Sequence, residues 1–133
     1  MKLTSRSEYA LLALVYLSRQ NPEEYVSAET ISLAQKIPLK FLEQILLTLR
    51  RAKYLYSSKG QRGGYRLAQS AEAIALAEVV RLFDGALAPT DSVSANFYES
   101  TPIEREEKLV QVFKDIRDYV SDKLERTTLA DVV

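Results

Sequence analysis

A stretch rich in basic residues and glycine is the part of the chain best equipped to bind a polyanion. Between Gln44 and Ala71 there are six basic residues and no acidic residue. Three of the four glycines of the chain, Gly60, Gly63 and Gly64, lie in the same stretch. Unpaired cations attract a polyanion, and glycine lets the backbone approach a ligand closely because it has no side chain. From charge alone, a basic face that contacts only solvent is an equally good interpretation.

The amino-acid composition excludes several other kinds of site chemistry. The chain has no cysteine and no histidine. A disulfide framework, a zinc or iron–sulfur site built on these ligands, a cysteine nucleophile and imidazole acid–base catalysis are therefore ruled out. The pattern Gly60-x-x-Gly63-Gly64 lies between two predicted strands, whereas a nucleotide-binding glycine loop leads into a helix. We expect no enzymatic activity and no cofactor.

The charge of the chain is divided between its two halves. The 133 residues carry 18 basic and 18 acidic side chains, so the formal net charge is zero. Residues 1–70 hold eleven basic and five acidic side chains, a net charge of +6. Residues 71–133 hold seven basic and thirteen acidic side chains, a net charge of −6. A protein that is neutral overall can still bind a polyanion through its basic half.

The longest apolar run is too short to cross a membrane. It extends from Tyr9 to Leu17, which is nine residues, whereas a membrane-spanning helix needs about 20. The first residues also lack the basic-then-apolar layout of a secretion signal. We therefore expect a cytoplasmic protein.

The spacing of apolar residues predicts a mainly α-helical chain with one small β-hairpin. Ser5 and Glu8 form a capping-box pattern at the first helix, and Thr128 and Asp131 form another before a short terminal helix. Ser27 is a favourable cap for the second helix. The predicted elements are helices over 6–19, 28–36, 39–53, 75–84 and 103–125, strands over 54–58 and 65–68, and a terminal helix over Leu129–Val133.

The order of these elements is that of a winged helix-turn-helix. Two short helices, over 28–36 and 39–53, meet at a tight turn, which is typical of a helix-turn-helix. The hairpin follows directly, and its tip is the basic, glycine-rich segment. Such a tip suits the DNA minor groove, which is narrow and electronegative. We predict a winged helix-turn-helix DNA-binding domain over 1–85, a loop over 86–102, and a dimerisation helix with the short terminal helix over 103–133.

The last long helix carries an apolar stripe with the alternating spacing of a coiled coil. A helix of more than 20 residues at the end of a small domain favours dimerisation over packing within one chain. The loop over 86–102 lacks clear periodicity and is longer than most connections, which indicates a functional segment or a relic of a site. The predicted dimerisation residues are Leu109, Val112, Phe113, Ile116, Tyr119, Val120 and Leu124.

Four motifs spread over nearly the whole chain form a specific combination. They are Lys2-Leu3-Thr4-Ser5 with Tyr9-Ala10, Leu42-Glu43-Gln44-Ile45 with Leu49-Arg50, Ser58-Lys59-Gly60 with Gly63-Gly64-Tyr65-x-Leu67, and Thr128-Leu129-Ala130-Asp131-Val132-Val133. In this combination the chain resembles the bacterial winged helix-turn-helix transcription regulators that include IscR, NsrR and CymR. The resemblance implies a homodimer that is held by the long C-terminal helix and binds double-stranded promoter DNA. It also implies recognition helices in two successive major grooves and wings at the adjacent minor grooves.

The resemblance assigns roles to individual residues. Lys40, Glu43 and Gln44 are expected to face base edges, and Lys59 and Gly60 are expected at the wing tip. The chemistry agrees, because glutamate can accept a hydrogen bond from a cytosine amino group and glutamine can pair with adenine. The residues predicted to hold phosphates are Lys40, Arg50, Arg51, Arg62 and Arg66.

The chain departs from the family pattern at two places. Many members bind an iron–sulfur cluster through three cysteines in the loop after the fourth helix, but the loop 86–102 has none, so a cysteine-ligated cluster is excluded. At the wing, many members have arginine where this chain has Lys59, which lacks the planar donor fork of arginine. A small-molecule effector stays open as a further partner. The alternative function is a helical protein-interaction module without DNA binding, which leaves the basic glycine tip unexplained.

Overall fold

The computed structural model describes residues 1–133, and it shows five helices and one two-stranded antiparallel hairpin. The predicted order of helices and strands is confirmed. None of the helices combines the length and the apolar character that crossing a membrane requires. The helices are α1 (Ser5–Ser18), α2 (Ala28–Gln35), α3 (Leu39–Arg51), α4 (Leu76–Asp84) and α5 (Glu107–Arg126), and the strands are β1 (Leu55–Ser58) and β2 (Gly64–Leu67).

The start of α1 is fixed by a residue on a distant helix. The N-cap is Thr4, whose hydroxyl accepts from the Ser7 amide, so the predicted capping box at Ser5 and Glu8 is wrong. The hydroxyls of Thr4 and Ser7 both donate to the carboxylate of Asp84, the last residue of α4. Because the Asp84 carboxylate holds the Thr4 hydroxyl in place, Thr4 caps the helix instead of Ser5. The end of α4 is therefore joined to the start of α1.

The pKa of Asp84 is lower than its ordinary value. Partial burial raises the pKa, but the hydrogen bonds from Ser7 and Thr4, together with the positive charge of Arg6, outweigh burial. Hydrogen bonds to the charged form of a carboxylate favour that form. Ionised Asp84 consequently strengthens the contact between α1 and α4.

One core unites the first three helices with the end of the chain. Leu14 of α1, Ile31 of α2 and Leu46 of α3 are fully buried in it. Leu129, in a 3-10 turn over Leu129–Val132, is buried in the same core, and its amide donates to the carbonyl of Ile74 at 3.0 Å. Leu129 therefore packs against residues of the predicted 1–85 domain, although it lies in the predicted 103–133 segment. The predicted division at 85 and 102 stays a prediction.

The segment before α5 is more ordered than the predicted loop over 86–102. It contains one 3-10 turn over Asp91–Val93, and a second over Pro102–Arg105. Helix α5 begins at Glu107, so the predicted start at residue 103 is wrong. The backbone is extended at Glu106, with φ of −122°, and this separates the second 3-10 turn from the helix.

Candidate nucleic-acid interface

Helix α3 has one buried face and one exposed face. Leu42, Ile45, Leu46 and Leu49 are buried, and they fix the rotation of the helix about its axis. The three residues predicted to face base edges are all exposed, and their spacing of three and four places them on one side of the helix. These residues are Lys40, Glu43 and Gln44.

Two contacts hold α2 and α3 against α1. The ring of Phe41 meets the ring of Tyr9 edge-on, with centroids 5.5 Å apart. The side-chain amide of Gln35 donates to the carbonyl of Leu12 at 2.9 Å. The exposed face of α3 therefore projects from a rigid base.

The wing is a tight hairpin whose geometry requires glycine. In the β1–β2 ladder, Leu55 lies opposite Leu67 and Ser58 lies opposite Gly64. Gly60 has φ of +101°, and its carbonyl accepts from the Gly63 amide at 3.0 Å. A Cβ atom on Gly63 would lie 2.3 Å from the carbonyl oxygen of Ser58. The turn is thus closed too tightly at Gly63 for a larger residue.

The wing is joined to the body of the domain by an isolated antiparallel β-bridge. Val26 and Tyr65 exchange two backbone hydrogen bonds, each 2.8 Å long. Gly64, with φ of +144°, allows this approach, because a Cβ atom there would lie 2.2 Å from the carbonyl oxygen of Val26. The tip residues Lys59 and Arg62 are exposed beyond this anchored part of the hairpin.

Basic residues at the end of α3 and just after it line a groove with the first strand of the wing. A groove of about 570 Å³ is lined by Arg50, Arg51 and Lys53 on one side and by Tyr56 and Ser57 of β1 on the other. The guanidinium of Arg50 lies 3.5 Å from the hydroxyl of Ser57. Sequence reasoning did not include Lys53 among the site residues, although its place in the acid-free stretch could have indicated it. We call Arg50, Arg51, Lys53, Lys59 and Arg62 the basic surface.

Arg66 occupies a different environment from the other predicted phosphate contacts. Its guanidinium lies 4.8 Å from the ring centroid of Tyr25 and 5.7 Å from that of Tyr56. It also donates to the carbonyl of Glu23 at 3.1 Å, and the side chain is half-buried. These contacts join the wing to the α1–α2 connection. They favour a role for Arg66 in positioning the wing over a direct phosphate contact.

One part of the apolar stripe of α5 packs against its own chain, and the other part is exposed to solvent. Leu124 packs against Ala77, Val80 and Leu87, so this part of the stripe faces the helix's own chain. Phe113 and Val120 are half-buried, as Leu124 is. The other four predicted dimerisation residues are exposed, with Val112 at 52% and Tyr119 at 73%. These four are Leu109, Val112, Ile116 and Tyr119.

The comparisons with known proteins agree on one family. The family model described as "Rrf2: Iron-dependent Transcriptional regulator" matches residues 3–133. The chain belongs to the Rrf2 family. IscR of Erwinia tasmaniensis is 32% identical over 100% of this chain and 79% of its own length. CymR of Bacillus subtilis is 28% identical over 99% of this chain and 89% of its own length.

Solved structures confirm the fold class. The structure of B. subtilis CymR, described as a global cysteine regulator, matches with a TM-score of 0.80 at 27% identity, covering 99% of this chain and 95% of that chain. The predicted winged helix-turn-helix is therefore confirmed. This Rrf2 protein is a DNA-binding transcription regulator and not an enzyme. The alternative of an interaction module without DNA binding finds no support among these relatives.

Iron is named in the family description, but the residues of this chain do not fit an iron–sulfur cluster. Such clusters are held by thiolates and in some proteins by imidazoles, and the chain has neither group. The structure also contains no group of three or more acidic side chains placed to hold a metal ion. In the segment over 86–102, the hydroxyls of Ser92 and Thr101 bond to each other, and Tyr98 donates to Glu104.

Proposed function

We propose that the protein binds operator DNA as a homodimer, with α3 in the major groove and the wing tip at the adjacent minor groove. One observation carries this proposal. The ion pairs of the chain are Arg81–Glu125, Arg117–Asp118 and Arg126–Asp122, so no cation of the basic surface is neutralised by a carboxylate. Unpaired cations on one surface can each replace a counterion at a DNA phosphate.

The roles within the interface follow from side-chain chemistry. Lys40, Glu43 and Gln44 project from α3 toward base edges, where glutamate accepts from cytosine and glutamine pairs with adenine. The cations of the basic surface hold phosphates, which position the protein without determining sequence preference. Lys59 and Gly60 form the wing tip that enters the minor groove.

Dimerisation is proposed through the exposed part of the α5 stripe. Leu109, Val112, Ile116 and Tyr119 follow the three- and four-residue spacing of a helix pair. Four adjacent exposed apolar side chains on one helix indicate a surface that a partner covers. A second copy of the chain presents the same stripe and completes a twofold pair. Its two recognition helices would bind half-sites about 34 Å apart, one helical turn of DNA.

The DNA interface is tested by titrating labelled promoter fragments and following fluorescence anisotropy. We expect one fragment to be preferred over competitor DNA, with a slope of log K against log salt near −5 if about six phosphates are neutralised. Gln44→Ala should relax the preference at one base pair and cost about 1–3 kcal/mol there. Equal weak binding to every fragment would refute the proposal.

The dimer is tested by sedimentation velocity with two variants that add the same charge to neighbouring residues. Val112→Lys places a lysine on the exposed stripe, and we expect monomers. Gln111→Lys places it about 100° around α5 from Val112, at an exposed position outside the stripe, and we expect the dimer to persist. Dimers in both variants would exclude the stripe as the interface.

The cellular compartment and the effect on transcription are also part of the proposal. We expect the protein to act in the cytoplasm, where promoter DNA is found. Repression is the expected outcome, because a dimer that spans two turns of promoter DNA blocks access of RNA polymerase. A reporter gene placed behind the preferred fragment should therefore be expressed less when the protein is present, and higher expression would contradict repression.

A further inference from the structure

A small cleft lies among residues that the proposed DNA contacts do not use. It has a volume of about 220 Å³ and is lined by residues of α4, α5 and the connection between them, including the segment over 94–97. Leu87 and Phe97 supply carbon surface, and Arg81 and Arg117 converge on it from the two helices. Nothing in the proposed DNA contacts uses these residues.

The two arginines differ in how fully their donors are occupied. Arg117 donates through Nε and Nη2 to Asp118 and through Nη1 to the carbonyl of Val93. Arg81 makes a single ion pair, from Nη1 to Glu125, and its side chain is 33% exposed. The remaining N–H groups of Arg81 have no partner in the protein. Arg81 is therefore the cation that is available to a ligand.

The lining also includes Asp118, whose carboxylate is bound by Arg117, and the uncharged side chains of Ser94, Asn96 and Ser121. The amide of Asn96 and the hydroxyl of Ser121 both line the cleft, and neither bonds to another protein group. An available guanidinium, an amide and a hydroxyl beside a carbon surface provide hydrogen-bond donors and an apolar contact in one place. This combination matches a carboxylate joined to a small hydrocarbon group.

We propose that this cleft binds a small organic carboxylate, with the carboxylate on Arg81 and the carbon part between Leu87 and Phe97. The volume is below the roughly 300–1,000 Å³ of pockets that take drug-sized ligands, so the occupant is a small metabolite. The binding step does not rest on the DNA-binding proposal, because it concerns the free protein.

Glu125 gives the proposal a sharp test, because it is a carboxylate that already occupies one side of Arg81. A ligand carboxylate competes with it for the same guanidinium. Arg81→Gln removes the ligand's partner and should weaken binding about tenfold or more. Glu125→Gln removes the competitor and should strengthen binding. If the Arg81–Glu125 pair were only structural, both changes would break the same contact and act in the same direction.

The probe is benzoate, followed by protein NMR as it is titrated into the full-length protein. We expect saturable shifts at the amides of residues 94–97 and at Ser121, and no saturable shifts with the uncharged analogue benzamide. Arg126→Gln is the matched control, because Arg126 is an exposed, ion-paired arginine of α5 outside the cleft, and it should leave binding unchanged.

Several outcomes would overturn the inference. They are an absence of saturable shifts, equal binding of benzoate and benzamide, or parallel losses in Arg81→Gln and Glu125→Gln. A thermal unfolding curve for each variant shows whether it folds, and the Glu125→Gln result stands even if Arg81→Gln does not fold. Benzoate binding without any preferred DNA fragment would overturn the DNA proposal alone, and the reverse result would overturn this one alone.

Discussion

Replacing Arg66 tests whether this residue positions the wing or holds a phosphate. The guanidinium lies between the rings of Tyr25 and Tyr56 and donates to the carbonyl of Glu23. Each cation–ring contact at a partly exposed site contributes about 0.5–1 kcal/mol, and a hydrogen bond from a charged group contributes about 1.5–3 kcal/mol. Arg66→Ala should therefore lower the free energy of unfolding by about 2.5–5 kcal/mol.

Arg62→Ala is the matched comparison, because Arg62 is exposed at the wing tip and has no protein partner. It should leave the free energy of unfolding nearly unchanged. It should make the slope of log K against log salt less steep by about one unit for each protomer bound, since one phosphate contact is lost per protomer. Arg66→Lys separates charge from shape, because lysine keeps the charge but loses the planar stacking surface.

The assays are urea unfolding followed by circular dichroism and DNA titrations at several salt concentrations. We expect Arg66→Lys to be less stable than the unmodified protein while the salt slope stays the same. The reasoning fails if Arg66→Ala is as stable as the unmodified protein and flattens the slope as Arg62→Ala does. Arg66 would then be a phosphate contact, as the sequence predicted.

Three further predictions follow from contacts of the fold. Leu129→Ala should cost about 2–5 kcal/mol of unfolding free energy, measured in urea, because the side chain is fully buried in the main core. Gly64→Ala should disrupt the strand pairing and lower DNA affinity, measured by anisotropy, more than Gly60→Ala, since only Gly64 has backbone atoms within contact of a new Cβ. Asp84 has a lowered pKa, so its contribution to stability is full above the unfolded pKa of about 4 and is lost as the pH falls through the folded value. Asp84→Asn should remove this part of the acid sensitivity in urea unfolding between about pH 7 and pH 3.

The features that the sequence predicted correctly depend on local patterns. The helix pair and the hairpin follow from apolar spacing and from the glycines of the wing, which act within a few residues of each other. The cap at Thr4 could not be predicted in this way, because it is stabilised by Asp84, which is 80 residues away. The environment of Arg66 depends on Tyr25, and the burial of Leu129 depends on the core of α1 to α3. Residue type alone carries no signal for such long-range contacts.

The distribution of ion pairs explains how a chain with zero net charge can bind a polyanion. All three ion pairs use cations at or beyond Arg81, where acidic residues are in excess. The basic surface lies in the half with a net charge of +6, and none of its cations has a carboxylate partner. Ion pairs therefore form only within the acidic half and leave the cations of the basic surface free.

A charge divided in this way also gives the molecule a dipole, which turns the basic surface toward DNA during approach and adds to the association rate at low salt. Charge reversal at Asp122, in the acidic half, raises the net charge of the chain from 0 to +2 and should increase the attraction to DNA. The association rate measured by stopped-flow should then be higher and depend more on salt, while the dissociation rate stays constant. A changed dissociation rate would show that the acidic half contacts DNA directly.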